Sequence, residues 1–187
     1  MAARKQVKAR RKAKARKAVR GRRPAKTRRR AAIAMPALDP ATVPGHHHCD
    51  YPSPFREPCI GRVRRKLGDA TGLTQFGVNH VTLPPGVMSS MRHWHVHEDE
   101  FVYVLTGELV LVTDRGEQLL KAGMAAGFPH GRTDGHHLIN RSKQAATFLE
   151  VGTRWPGGDE GAYSDIDMKI VIVDGEERYA RKDGTLY

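Results

Sequence analysis

Residues 75–151 are cut into short runs rich in Val, Thr, Phe and Tyr by turn residues, and no helical periodicity intervenes. The runs expected as strands are 75–83, 92–97, 100–105, Glu108–Thr113, 118–120, 124–128, 136–140 and 145–151. Pro84-Pro85-Gly86, Thr106-Gly107 and Asp114-Arg115-Gly116 punctuate them as turns. One further run, 168–173, ends at the turn-like Asp174-Gly175 and a polar tail. Strands this short and this evenly spaced predict an all-β sandwich or barrel. The 19 Gly and 11 Pro suit such a turn-rich domain better than a helical bundle.

Charge divides the chain differently. Residues 1–38 hold 16 of the 32 Lys and Arg and none of the 20 Asp and Glu, so the remaining residues carry four more acids than bases. The net charge of +12 therefore describes a basic segment on a mildly acidic domain. With almost nothing apolar to dock, residues 1–38 are expected to be a disordered tail. Its positive charge suits non-specific, salt-sensitive binding to nucleic-acid phosphates, and it has no aromatic residues for base readout. Residues 39–60 are Pro-rich and predict an extended arm, 61–160 the barrel, and 161–187 a C-terminal strand and tail.

No apolar run is long enough for a membrane-spanning helix. The apolar stretch 31–38 is short and broken by Pro36, which argues against a secretory signal, and the absence of Ser before residue 39 argues against a transit peptide. Two cysteines, Cys49 and Cys59, are too few for a disulfide scaffold. These features together predict a cytoplasmic protein.

The chemistry lies in MRHWHVHEDEFVYVLTGE. On a strand, His93 and His95 point to one face and Trp94 to the other. Glu100 sits at an odd offset from His95 and rejoins that face only if His97-Glu98-Asp99 forms a turn. Glu98, at even offset, is the alternative carboxylate. His136 opens a distant strand, with Asn140 on its same face. Imidazoles and a carboxylate converging on one point suit a divalent transition metal such as Fe, Mn, Zn or Ni, with room left for water or substrate. Trp94, Phe101 and Tyr103 are expected in barrel packing, and His97 and His130 at the rim. His46-His47-His48-Cys49 has no matching distant pair and is expected to be exposed arm.

These residues carry a resemblance. Gly86, six residues, His93-Trp94-His95, four residues, Glu100, six residues and Gly107 match the first motif of the cupins. Gly123, five residues, Pro129-His130-Gly131, four residues, His136, three residues and Asn140 match the second, with a gap before His136 two residues longer than usual. Two motifs in order make a specific signal, and the likeness spans roughly residues 61–152. It implies a small single-domain cupin: a double-stranded β-helix barrel with one metal ion on His93, His95, Glu100 and His136. The long gap leaves His137 as an alternative to His136, and the spacing to Asn140 favours His136. The resemblance further implies a metal-dependent enzyme of dioxygenase, decarboxylase or isomerase type acting on a small polar molecule. The alternative is a ligand-binding or sensory cupin whose basic tail holds nucleic acid or another acidic partner. A homodimer is the assembly that it implies.

Overall fold

The computed structural model describes residues 37–187. The basic segment lies outside the described residues except for its last two positions. Twelve strands, all paired antiparallel, form three sheets among the described residues. The first has the order β1 (Val63–Lys66), β2 (Phe76–Leu83), β9 (Ala146–Thr153), β4 (Glu100–Thr106), β7 (Ala125–Phe128). The second runs β6 (Gly116–Lys121), β5 (Glu108–Thr113), β8 (His137–Ile139). The third runs β12 (Glu176–Ala180), β11 (Lys169–Val173), β10 (Gly161–Tyr163), β3 (His93–His95). A single helical turn, α1 (Leu67–Ala70), links β1 to β2.

Alternation decides which side chains go inside. Val81 and Leu83 of β2, Val102 and Val104 of β4, and Ala146 and Phe148 of β9 are buried from the first sheet. Leu109 and Leu111 of β5, Leu120 of β6 and Leu138 of β8 meet them from the second. These two faces enclose the barrel core. The same alternation turns Phe101 and Tyr103 outward, at 44% and 39% exposure, so the expectation that they pack inside is wrong. Val102 and Val104 hold the interior positions of that strand.

Where β4 becomes β5 the chain turns at Gly107, whose φ of +73° is in the left-handed region. A Cβ there would also stand 3.0 Å from the Ala146 side chain, so the backbone angle favours glycine and the space beside it is tight. Asn140 follows β8 and is fully buried, donating from Nδ2 to the carbonyls of Leu83 and Gln144 and accepting the Ser142 amide at Oδ1. It ties the end of β8 to β2 and to the turn before β9.

A second cluster joins the Pro-rich segment to the C-terminal one. Tyr51 and Cys59 pack with Tyr163 and Met168, flanked by Phe55, Ile170 and Tyr179. Two 3-10 turns, Pro40–Thr42 and Glu57–Cys59, interrupt the expected extension. The expected polar C-terminal tail contains β12, which pairs with β11 across the turn at Asp174-Gly175. Its solvent-facing residues mask the strand pattern.

Candidate metal centre

His93 and His95 lie on β3, which pairs with β10 at His93↔Tyr163, Trp94↔Ala162 and His95↔Gly161. Gly161 permits that pairing, since a Cβ there would stand 2.5 Å from the Trp94 carbonyl oxygen. After His95 the chain leaves the third sheet, turns, and enters the first at Glu100, the first residue of β4. That change of sheet resolves the odd offset. His136 precedes β8 and bridges to His93 through both backbone hydrogen bonds, 2.8 and 3.2 Å. Three sheets thus deliver four side chains to one point.

The donor atoms are close. His93 Nε2 is 3.1 Å from His95 Nε2; Glu100 Oε2 is 3.3 Å from His136 Nε2, 3.4 Å from His95 Nε2 and 4.0 Å from His93 Nε2. All four donors lie within 4.8 Å of one another, and no second group of this kind occurs among the described residues. Donors bound to one ion at about 2.0–2.2 Å are roughly 3 Å apart when adjacent, so the spacing fits.

Neighbours orient the rings. His93 Nδ1–H donates to the Met91 carbonyl at 3.0 Å, which leaves Nε2 as a bare lone pair. Burial, with the His95 and His136 rings beside it, pushes the His93 pKa down to about 3, so the ring is neutral. His95 Nδ1–H donates to Asp159 Oδ2 at 2.7 Å. Burial opposes charge on His95, but the hydrogen bonds to Asp159 and Glu100 outweigh it and push the pKa up to about 10. Glu100 is subject to the same contest. Burial raises its pKa, while hydrogen bonds from His136 and His95 hold it well below the usual carboxylate range. The His136 ring stacks on Phe128 at 3.6 Å, and its buried Nδ1 has no protein partner. An ionised carboxylate facing a neutral imidazole lone pair is a donor set suited to a divalent cation.

The structure brings His93, His95, Glu100 and His136 together and leaves Glu98 out; its carboxylate accepts the Trp155 amide instead. His136, not His137, joins the group. His97 and His130 are exposed, His97 stacked on Trp155 and His130 bonded to Asp99. Trp94 is half-buried on the opposite face of β3 from the donors. His46-His47-His48-Cys49 forms no donor group. Sequence reasoning missed Asp159, which is 4% exposed and anchors both His95 and the His97 amide. Such hydrogen bonds to a ligand histidine set its tautomer and basicity. The group borders a cavity of about 220 Å³ whose wall includes Arg62, Arg64, Ser89, Ser90, His137 and Glu150.

Residues 79–152 match the family model of the cupin domain. A solved structure described as a sugar phosphate isomerase of the cupin superfamily, from Silicibacter pomeroyi, is 44% identical, with a TM-score of 0.77 over 81% of this chain and 96% of that one. The chain belongs to the cupin superfamily. A second structure, a putative sugar phosphate isomerase from Acidithiobacillus ferrooxidans, is 28% identical to this cupin, with a TM-score of 0.61 over 67% of this chain and 80% of that one. The polyketide cyclase RemF from Streptomyces resistomycificus, 22% identical with a TM-score of 0.54 over 64% of this chain and 79% of that one, shares the fold. Among curated proteins none matches. No helix of the described residues is long and apolar enough to cross a membrane.

Proposed function

We propose that this cupin holds one divalent transition metal on His93, His95, Glu100 and His136 and isomerises a small sugar phosphate. The observation that carries the reading is the convergence of those four donors beside a cavity partly lined by polar side chains. The likeness to the Silicibacter pomeroyi protein narrows the reaction class from the three that cupins at large would suggest. A bound ion would act as a Lewis acid on the substrate's carbonyl and hydroxyl oxygens. The chain's own residues do the rest. Asp159 and the Met91 carbonyl fix the two β3 rings so that Nε2 of each faces the cavity. Aldose–ketose isomerisation moves a proton between adjacent carbons, which requires a base on the wall outside the donor group. Two side chains meet that requirement. Glu150 is held by Arg64 at 3.0 Å and by Asn79 at 2.8 Å, and His137 has a buried Nδ1 without a protein partner.

Purified protein should carry close to one transition-metal ion per chain by elemental analysis. His136→Ala and the His93→Ala, His95→Ala pair should lose it, while His137→Ala keeps it. Metal-loaded protein should interconvert aldose and ketose phosphates and incorporate deuterium from D₂O at the exchanging carbon. Full metal occupancy in the double variant would refute the site, and absence of exchange across a panel of three- to six-carbon sugar phosphates would refute the reaction.

A separate proposal concerns residues 1–38, whose 16 uncompensated positive charges favour binding to nucleic acid. The full chain should retard duplex DNA in low salt and lose it steeply as salt rises, and a chain beginning at residue 37 should not bind at all.

A further inference from the structure

Two arginines approach the cavity from neighbouring positions, and they differ in one respect. Arg64, on β1, meets Glu150 at 3.0 Å. Arg62, two residues earlier and on the same face, is 7% exposed and forms no ion pair among the described residues. Its one side-chain hydrogen bond is donated by Nη1 to the Ser89 carbonyl. The carboxylates of the cavity wall are Glu100, engaged with the histidines, Glu150, held by Arg64 and Asn79, and Asp50, which forms no ion pair. A guanidinium is permanently charged, and burying one without a counter-charge is costly unless something supplies the negative charge.

The wall between Arg62 and the donor group is polar. Arg62 reaches Ser89; Ser89 Oγ accepts the Leu138 amide at 2.9 Å and lies 3.4 Å from Ser90 Oγ; Ser90 Oγ lies 3.3 Å from His93 Nδ1. The guanidinium and the His/Glu group thus line one cavity and are linked through Ser89 and Ser90. The cavity, of about 220 Å³, has room for a small phosphorylated molecule.

We infer that Arg62 is the anion-binding residue of the cavity and takes the phosphate of a small phosphate monoester whose sugar end faces His93, His95, Glu100 and His136. The fork of a guanidinium matches phosphate oxygens in pairs, and burial of Arg62 strengthens the contact. Arg62 thereby selects for phosphorylated over unphosphorylated substrate. The inference rests on the proposed sugar-phosphate reading but is separable from it by experiment.

The test is calorimetric titration of the full chain, metal-loaded, with inorganic phosphate, a pentose phosphate, the free pentose and acetate. Arg62→Met should carry the same metal, fold with an undiminished Tm, and bind phosphate and the pentose phosphate at least tenfold more weakly. Its affinity for free pentose should be unchanged, and Arg62→Lys should recover part of the loss. Acetate should bind more weakly than phosphate to the wild-type chain, since a matching affinity would assign the site to carboxylates instead. Unaltered phosphate binding by Arg62→Met would overturn the inference, as would a large fall in its Tm without ligand, which would make Arg62 a structural tie to Ser89. The His93→Ala, His95→Ala variant separates the two readings. If it binds phosphate in an Arg62-dependent way, the anion site stands whatever the fate of the metal. If phosphate requires the ion and ignores Arg62, the anion is a ligand of the metal and the inference falls while the metal site stands.

Discussion

The two hydrophobic clusters are made of different material. The barrel core is aliphatic apart from Phe148, and its residues come from six strands, β2, β4, β5, β6, β8 and β9. The second cluster is aromatic and sulfur-bearing, Tyr51, Cys59, Tyr163 and Met168, and it joins chain segments over a hundred residues apart. Tyr51 stacks edge-on against Tyr163 at 5.5 Å and against Tyr179 at 5.6 Å. Burial pushes the Cys59 thiol up to about 12 and the Tyr51 and Tyr163 hydroxyls further, so none of these groups ionises at neutral pH. The donor group sits at the seam. His93 stacks on Tyr163 of the second cluster at 5.7 Å, while His136 stacks on Phe128 at the margin of the first. The barrel makes the fold, and Tyr51 and Tyr179 of the second cluster line the cavity beside the donor group.

Three variants probe that division. Phe148→Ala should have the largest effect, about 4 kcal/mol of global stability, because Phe148 is 1% exposed at the centre of the barrel. Denaturant unfolding measures it, and a loss below about 1 kcal/mol would mean the barrel does not dominate. Met168→Ala should cost less, about 3 kcal/mol, and the loss should be local. Hydrogen exchange should speed up in residues 49–60 and 161–187 before β2, β4 and β9 respond. Equal acceleration everywhere would show that the clusters unfold as one unit. Asp159→Asn should leave stability nearly unaltered and reduce metal affinity about 10–100-fold, through the lost orientation of His95. Titration with zinc or manganese gives the number; wild-type affinity would sever Asp159 from the site.

The same division explains what could be read from sequence. Glu108–Thr113 has its expected bounds because the apolar run LVLV is fenced by the turn residues Thr106-Gly107 and Asp114-Arg115-Gly116. β1 has no strand signature in the sequence, since VRRK offers one apolar residue and turns Arg64 toward the cavity. β10, three residues beginning with glycine, and β12, EERYA, lack any strand signature and are held by β3 and β11 instead. The expected strand 136–140 shrinks to His137–Ile139, because His136 bridges to β3 and Asn140 is occupied with the following turn. The four donors were legible because their spacing encodes strand, turn and strand. Asp159 and Arg62 were not. Asp159 reaches His95 from 64 positions away, and Arg62, in the basic run Arg62-Val63-Arg64-Arg65-Lys66, resembles any surface arginine until its surroundings are seen.

Pairing of β3 with β10 has a practical corollary for anyone subcloning the domain. The family match stops at residue 152, and an expression boundary placed there looks natural. Such a fragment would contain all four side chains of the donor group and the whole aliphatic core. It would lack the strand that His93 and His95 lean on, and the carboxylate that aims His95. The shortest span that keeps the centre whole runs through the last β-hairpin, because β11 and β12 complete the sheet on which the two histidines are mounted.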